Sequence, residues 1–258
     1  MHAKVPQLIR LLHRIGLPFQ ADRFLTEIIG VAAMSSVRSM KYRARIPVEQ
    51  GYLLFGIMDE TNFLKEGEVY IATQDMTLSG RLEKNILIGS DIVVTRAPAL
   101  HPGDVRVVTG VDVPEGSPLR DLHNCIVFSQ QGQRDLPSQL GGGDLDGDKF
   151  HVIYDPRLIP AYSFPPADYH SVTPQDLGRT VEVSDIVDFF IDHMINDNLG
   201  RVSNVHKIRA DKKPLGTLDR DCIQLAQLAS DAVDFSKSGV PVSLSRVFLI
   251  RISANRRC

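Results

Sequence analysis

Residues 141–154, GGGDLDGDKFHVIY, combine a glycine-rich loop, three aspartates on alternate positions and a β-rich segment. Alternate residues of an extended segment project to one side, and Gly147 can adopt the positive φ that lets the segment curl. We therefore expect Asp144, Asp146 and Asp148 to converge. Because converging carboxylates repel one another unless a cation lies between them, and hard oxygen ligands suit Mg²⁺ or Mn²⁺, the loop predicts a divalent metal site. The chemistry that such a site favours is phosphoryl transfer.

Two other interpretations of this loop are less well supported. A helical calcium-binding hand that starts at Asp144 needs glycine at its sixth position and glutamate at its twelfth, but the chain has Lys149 and Asp155 there. It also needs a helix after the loop, whereas residues 149–154 have the pattern of a strand. An acidic surface turn is the second alternative, because Asp and Gly are common turn residues. The neighbouring segments favour the metal site over both.

The composition is that of a soluble globular protein with one or two domains. The chain has 258 residues, of which 43% are hydrophobic and 23% are charged, and its longest apolar runs are too short to cross a bilayer, so no membrane association is expected. Three distant cysteines, Cys125, Cys222 and Cys258, form neither a zinc spacing nor a disulfide framework. A reducing compartment, the nucleus or the cytoplasm, is the simpler expectation.

Charge is segregated along the chain although the net charge is only −2. Residues 1–50 carry eight Lys or Arg and three acids, and residues 201–220 carry six Lys or Arg and two acids. Between them, residues 181–200 carry five acids and no Lys or Arg. Such alternating surfaces fit a protein that handles both a metal and a polyanion.

The order of predicted elements is helical, then all-β, then helical. Helices are predicted at 5–15, 21–34, from Ser184 to about 195, and from an N-cap at Asp219 to about 236. Predicted strands cover 44–48, 52–58, 68–72, 86–88, 92–96, 105–113, 124–128 and 150–154. Strands at this density suggest a compact barrel or sandwich. We divide the chain into an N-terminal helical segment (1–42), a β-barrel with the metal loop (43–160) and a C-terminal helical segment (161–258).

Three basic residues are candidates for binding a phosphate or a ribose near the metal. Arg96 leaves a predicted strand and could present its planar guanidinium to a phosphate or a ribose. Arg134 lies in the segment that precedes the aspartates, and Lys237 follows the last predicted helix. A solvent-facing cation is the alternative for each of them.

The metal loop and several other segments resemble one protein family. Residues 142–152 resemble the metal-binding loop of the cellular, gene-silencing RNA-dependent RNA polymerases of eukaryotes. Segments similar to other motifs of that family follow its order: 56–61 (GIMDET), 95–107 (Arg-x-Pro-x-x-His-Pro-Gly-Asp), 127–137 and 226–239. Residues 96–101 (RAPALH) and the aspartate loop are also similar to the large subunit of multisubunit DNA-dependent RNA polymerases. A DNA-templated enzyme fits less well, because the longer similar segments are those of the silencing enzymes.

The resemblance implies an α+β fold in which a double-psi β-barrel, the catalytic core, is flanked by N-terminal and C-terminal helices. It implies Mg-dependent nucleotidyl transfer by an RNA-directed RNA polymerase that uses single-stranded RNA and nucleoside triphosphates to make double-stranded RNA for small-RNA silencing, in association with small-RNA silencing proteins. Asp144, Asp146 and Asp148 would hold the metal, and Arg96, Arg134 and Lys237 would contact nucleotide or RNA.

The chain departs from the family at two positions and in its length. It has Gly142-Gly143 where the family has Ser-Gly, and Ala97 follows the arginine where silencing polymerases often have Asn. Family members are also much longer and use a second barrel, which this sequence does not display. We therefore expect a catalytic fragment, and we keep as the alternative a non-catalytic RNA-binding or assembly module derived from a polymerase.

Overall fold

Seven strands form one sheet in the computed structural model, which describes residues 5–43, 46–76, 81–169, 173–174 and 176–243. They are β1 (Gly51–Met58), β2 (Glu68–Met76), β3 (Leu82–Ile86), β4 (Gly89–Arg96), β5 (Val105–Gly110), β6 (Cys125–Phe128) and β7 (Lys149–Ile153). The order is β3-β2-β5-β4-β7-β1-β6, and a further pairing of β2 with β6 closes six strands into a barrel. The β1–β6 and β2–β5 pairs are parallel. This closed mixed barrel with flanking helices confirms the predicted fold class.

Two predicted strands are misplaced, and others differ at their ends: β2 runs four residues beyond the strand predicted at 68–72, and β5 ends three residues before the end of the one predicted at 105–113. The strand predicted at 86–88 lies earlier, because β3 spans Leu82–Ile86 and pairs antiparallel with β2. In the segment predicted as a strand at 44–48, residues 46–48 are irregular, and residues 44–45 lie outside the described part. Pro47 explains the irregular segment, since proline has no N–H to donate to a sheet ladder.

The barrel interior is apolar, and one glycine makes its packing possible. The rings of Phe128 and Phe150 meet edge to face with their centroids 4.8 Å apart. Gly56 of β1 lies against both rings, and a β-carbon at this position would overlap the Phe150 ring. The barrel cluster also includes residues from all six barrel strands and from the loop before β7, namely Leu54, Val69, Ile71, Ile92, Val94, Val108, Ile126, Leu140 and Val152.

Residues 1–49 form one compact unit and residues 50–258 form the other. The first unit contains α1 (Val5–Arg14) and α2 (Arg23–Arg43), and Asp22 begins α2 by accepting a hydrogen bond from the Leu25 amide at 2.9 Å. The helix predicted at 21–34 therefore extends nine residues further along the chain. Among the helices of the described residues, none has both the length and the apolarity to cross a bilayer.

The second unit also contains helices, most of which follow the last strand in the chain. They are α3 (Leu136–Gln139), which precedes β7, and α4 (Val183–Asn196), α5 (Leu199–Lys212), α6 (Arg220–Val233) and α7 (Phe235–Ser238). The N-cap predicted at Asp219 is confirmed, because its carboxylate accepts a hydrogen bond from the Asp221 amide at 3.0 Å. The last predicted helix is interrupted at Asp234, and Gly239 ends α7 with φ 73°. Sequence patterning did not predict α5, whose apolar residues are few among many charges.

Candidate metal centre

The three predicted aspartates come together at one end of the barrel. They lie on the loop between α3 and β7, and one carboxylate oxygen from each of Asp144, Asp146 and Asp148 lies within 4.8 Å of the others. The loop enters strand β7 directly, where a calcium-binding hand would require a helix. Asp144 and Asp146 are exposed and Asp148 is half-buried. The geometry therefore gathers three carboxylates at an accessible surface.

Glycines give this loop its shape. Gly147 has φ 128°, as the sequence predicted, and Gly141 and Gly142 both have φ 66°. These values lie in the region that residues with side chains rarely adopt. Gly143 is required for a different reason: a β-carbon there would lie 2.8 Å from Cδ of Arg96 and 2.9 Å from the Pro137 carbonyl oxygen. Backbone freedom shapes the loop, and close packing fixes its position.

Arg96 holds the last aspartate from the neighbouring strand. Arg96 pairs with Phe150 in the β4–β7 ladder, so the arginine side chain reaches the start of β7. The Arg96 Nε atom lies 2.5 Å from Oδ2 of Asp148, and its Nη2 donates to Oδ1 at 3.1 Å. Its Nη1 donates to the Gly141 carbonyl at 3.3 Å. One guanidinium thus joins the two ends of the loop, and the pair is mostly shielded from solvent, with 15% and 20% of the side chains exposed.

Lys237 approaches the first aspartate from the C-terminal helices. Its Nζ lies 3.3 Å from Oδ2 of Asp144, and this contact raises the pKa of the lysine. Both groups are largely exposed, so the pair contributes little stability. The lysine does, however, place a positive charge at the edge of the three carboxylates, and it lies within α7 and not after the last helix as the sequence predicted.

Asp144 and Asp146 shift each other's pKa in opposite directions. Contact with Asp146, and secondarily with Lys237, lowers the pKa of Asp144. The same contact with Asp144 raises the pKa of Asp146. Opposite shifts in two adjacent carboxyls show that their negative charges repel, since one group ionises at the expense of the other. A divalent cation would relieve this repulsion, and oxygen-only donors at these separations fit a hard cation.

Arg134, the third basic candidate, is held by protein groups. Its Nε and Nη2 donate to the hydroxyl and carbonyl of Ser138 at 3.1 and 2.6 Å, and its Nη1 donates to the Ala167 carbonyl at 2.7 Å. It also lines an open cleft of about 580 Å³ together with Gly142 and Lys237. The structure therefore places Arg134 beside the metal loop and gives it a role in holding two loops together.

Two acidic residues have buried roles that sequence patterning missed. Asp59 is fully buried and accepts hydrogen bonds from the amide and hydroxyl of Thr61 at 2.9 and 2.6 Å and from the Leu64 amide at 2.8 Å. Asp104 is 1% exposed, and its carboxylate accepts a hydrogen bond from the hydroxyl of Tyr169 at 2.7 Å. Both lie in segments that carry the family resemblance, but a sequence pattern does not show whether an acid is buried. The sequence signal for these roles was weak: Asp59 directly follows a strand, and Asp104 directly follows the tight turn at Pro102-Gly103.

Comparisons with known proteins agree with this architecture. A family model described as RNA dependent RNA polymerase matches residues 1–256. The chain is 37% identical over 239 residues to a probable RNA-dependent RNA polymerase 1 of Oryza sativa subsp. japonica, covering 92% of this chain and 31% of that protein. It is 36% identical over 248 residues to RNA-dependent RNA polymerase 2 of Arabidopsis thaliana, covering 92% of this chain and 22% of that protein.

A more distant relative and a solved structure extend the comparison. RNA-dependent RNA polymerase 1 of Schizosaccharomyces pombe is 35% identical over 242 residues, covering 85% of this chain and 19% of that protein. The solved structure of RNA dependent RNA polymerase QDE-1 from Thielavia terrestris superposes on this chain with a TM-score of 0.64 at 21% sequence identity. The superposition covers 90% of this chain and 27% of that one, and it supports the assignment of the fold. The chain thus spans less than a third of the length of each of these relatives.

Proposed function

This chain belongs to the RNA-dependent RNA polymerase family, since the family model matches residues 1–256, and we propose that it carries the metal-binding part of an RNA-directed RNA polymerase active site. The observation that carries the proposal is the convergence of Asp144, Asp146 and Asp148 within 4.8 Å on the loop that enters β7. Mg²⁺ or Mn²⁺ is the proposed ion, because all the donors are carboxylate oxygens. The reaction is nucleotidyl transfer, in which a 3′-hydroxyl attacks the α-phosphate of a nucleoside triphosphate and pyrophosphate leaves.

Each of the charged residues has a proposed part in this reaction. Asp144, Asp146 and Asp148 hold the ion, which when bound favours deprotonation of the 3′-hydroxyl and stabilises negative charge on the phosphate. Arg96 orients Asp148, to which it is paired, and keeps the loop ends together. Lys237 is exposed at the edge of the cleft and can exchange Asp144 for a triphosphate oxygen. Arg134, which was also predicted to contact phosphate, lines the cleft and would reach a phosphate only by giving up a protein partner.

The wider biological assignment follows from the family. We propose that the template is single-stranded RNA, that nucleoside triphosphates are the other substrates, and that the product is double-stranded RNA for small-RNA silencing. Base pairing would select the nucleotide, while the protein would hold RNA backbones electrostatically. Small-RNA silencing proteins are the proposed partners, and the nucleus or cytoplasm is the proposed location.

The test compares the unsubstituted chain with Asp146→Ala and, as a matched control, with Asp211→Ala, which removes an exposed aspartate of α5. Calorimetric titration with MnCl₂ measures metal affinity, and nucleotide incorporation on single-stranded RNA with Mg²⁺ measures activity. We expect Asp146→Ala to weaken metal binding and incorporation at least about 10²-fold, because the loss of one charged ligand costs several kcal/mol. Asp211→Ala should leave both unchanged.

Three results separate the candidate functions. Metal affinity that is the same with and without Asp146 would contradict the assigned metal site. Incorporation that survives Asp146→Ala would contradict the catalytic assignment. Metal and RNA binding without incorporation by the unsubstituted chain would favour the alternative, a non-catalytic RNA-binding or assembly module.

A further inference from the structure

A segment after the last strand lies against the loop that precedes β5. In residues 164–169, the Phe164 carbonyl accepts a hydrogen bond from Nη1 of Arg106 at 2.8 Å, and the Ala167 carbonyl accepts one from Nη1 of Arg134 at 2.7 Å. Between them, the Pro165 carbonyl lies so close to Gly103 that a β-carbon at Gly103 would overlap it. The segment is therefore fixed at two arginines and one glycine before it reaches Tyr169.

Tyr169 ends this segment with a hydrogen bond to a buried carboxylate. Its hydroxyl donates to Oδ1 of Asp104 at 2.7 Å. The other carboxylate oxygen of Asp104 accepts hydrogen bonds from the amides of Leu100 and His101 at 3.1 and 2.9 Å. Asp104 thus uses both oxygens and is 1% exposed. Burial, together with the bond to Asp104, raises the pKa of the Tyr169 hydroxyl, so this group keeps its proton and remains a donor at neutral pH.

The tyrosine and the aspartate lie directly behind the glycines of the metal loop. A β-carbon built on Gly142 would lie 3.8 Å from Cβ of Tyr169 and 3.9 Å from its Cδ2. One built on Gly141 would lie 3.8 Å from Oδ2 of Asp104 and 3.4 Å from the Pro98 carbonyl. Both glycines have φ 66°, which glycine adopts readily, but its freedom leaves many other conformations open to this part of the loop. Tyr169 lines a cleft with Gly142, and Tyr169 and Asp104 line a smaller one with Gly141, so the two side chains limit the space beside both glycines.

We propose that Tyr169 is a positioning residue for the metal centre. Its ring supports Gly142, and its hydroxyl keeps Asp104 and the 97–104 loop in contact with Gly141, so the aspartates that follow are presented at one place. Tyr169 does not touch the ion in this assignment; it acts through the backbone of residues 141–143. The inference rests on the proposed function, because it assumes that the three aspartates bind a divalent metal.

The test uses Tyr169→Phe, which removes the hydroxyl and keeps the ring, and Tyr162→Phe as the matched control, since Tyr162 is 79% exposed. Three measurements are made on each chain: Mn²⁺ affinity by calorimetry, amide hydrogen exchange of residues 141–148, and global unfolding by urea. In Tyr169→Phe we expect about 10-fold weaker Mn²⁺ binding, the lower end of the range for groups that orient metal ligands. Exchange in residues 141–148 should be faster at the Asp144 amide, which donates to Oδ2 of Asp148 at 3.1 Å.

The outcomes separate positioning from general stability. Unchanged Mn²⁺ affinity in Tyr169→Phe would overturn the inference, even if the variant were less stable. Faster exchange across the whole barrel, in proportion to a lower unfolding free energy, would also overturn it, because the role would then be structural only. Failure of the unsubstituted chain to bind Mn²⁺ would instead show that the proposed metal site is wrong, and the inference would fail with it.

Discussion

Gly143→Ala is the most informative single change near the metal loop, because it adds a methyl group at a position where the Arg96 side chain and the Pro137 carbonyl already pack closely. The new carbon would lie 2.8 Å from Cδ of Arg96 and 2.9 Å from the Pro137 carbonyl oxygen. Normal carbon contacts are about 3.5–4.0 Å, so each neighbour would have to move by roughly 0.5–1 Å. The Pro137 carbonyl belongs to the backbone of α3, which leaves Arg96 as the group that shifts.

The energetic cost follows from this overlap. Adding a methyl group to a packed site costs about 1–3 kcal/mol, and moving Arg96 also disturbs its bonds to Asp148 and Gly141. For about 2 kcal/mol, the melting temperature of a unit of this size should fall by roughly 4–8 °C. Mn²⁺ affinity should fall as well, because Asp148 loses the partner that orients it.

Differential scanning calorimetry and titration with MnCl₂ measure the two effects. Gly200→Ala in α5 is the matched control, since a β-carbon there meets nothing within 4 Å and φ is not positive. Alanine is about 1 kcal/mol more favourable than glycine inside a helix, but Gly200 lies in the first turn of α5, so the control should be as stable as the unsubstituted chain or slightly more stable. If Gly143→Ala melts and binds Mn²⁺ like the unsubstituted chain, the packing of Arg96 against this glycine does not position Asp148.

Two further predictions concern the core and the pH dependence. Gly56→Ala should lower the unfolding free energy, measured in urea, by about 1–3 kcal/mol, because the new methyl group would overlap the Phe150 ring. Adding Phe150→Leu should restore part of the lost free energy. If Gly56→Ala is as stable as the unsubstituted chain, the close packing of Gly56 against Phe150 is wrong. Burial lowers the pKa of His206 below its usual value despite the nearby Asp104 carboxylate, so protonation favours the unfolded chain. The His206 contribution to the unfolding free energy should therefore be complete above about pH 6.5, and below that pH it should fall by up to about 1.4 kcal/mol per pH unit. Urea unfolding over a pH series measures this slope. If His206→Leu keeps the same slope as the unsubstituted chain, another group is responsible.

Local patterning predicted most of the barrel because its strands are apolar, short and bounded by turn residues. The run at 92–96 lies within β4, and the run at 124–128 contains β6. Patterning failed where local signals conflict with tertiary contacts. Residues 82–86 have mixed polarity and form β3 only because β2 offers an edge for antiparallel pairing. Sequence alone does not show which edge is free, so that strand was placed too late.

The metal centre was easier to predict than the residues that support it. Three alternate aspartates among glycines are a local signal, and their convergence required only a curled loop. The partners of the loop come from distant positions: Arg96 lies 52 residues from Asp148, and Tyr169 lies 65 residues from Asp104. No local periodicity encodes such contacts. The sequence predicted Arg96 as a contact for a phosphate or a ribose and did not predict its pairing with Asp148, whereas Tyr169 lies outside every segment similar to the family and was not predicted at all.

The hydrogen bonds from Arg96 to both ends of the aspartate loop would also affect the rates at which an ion binds and dissociates. Ordering a backbone residue costs about 1–2 kcal/mol in conformational entropy, so an eight-residue loop would cost roughly 8–16 kcal/mol if the ion had to organise it. Here much of that entropy is already lost when the barrel folds, because the Arg96 guanidinium joins Gly141 to Asp148. At the proposed metal site, capture of a cation would then need little rearrangement, and its release would leave a loop of the same shape.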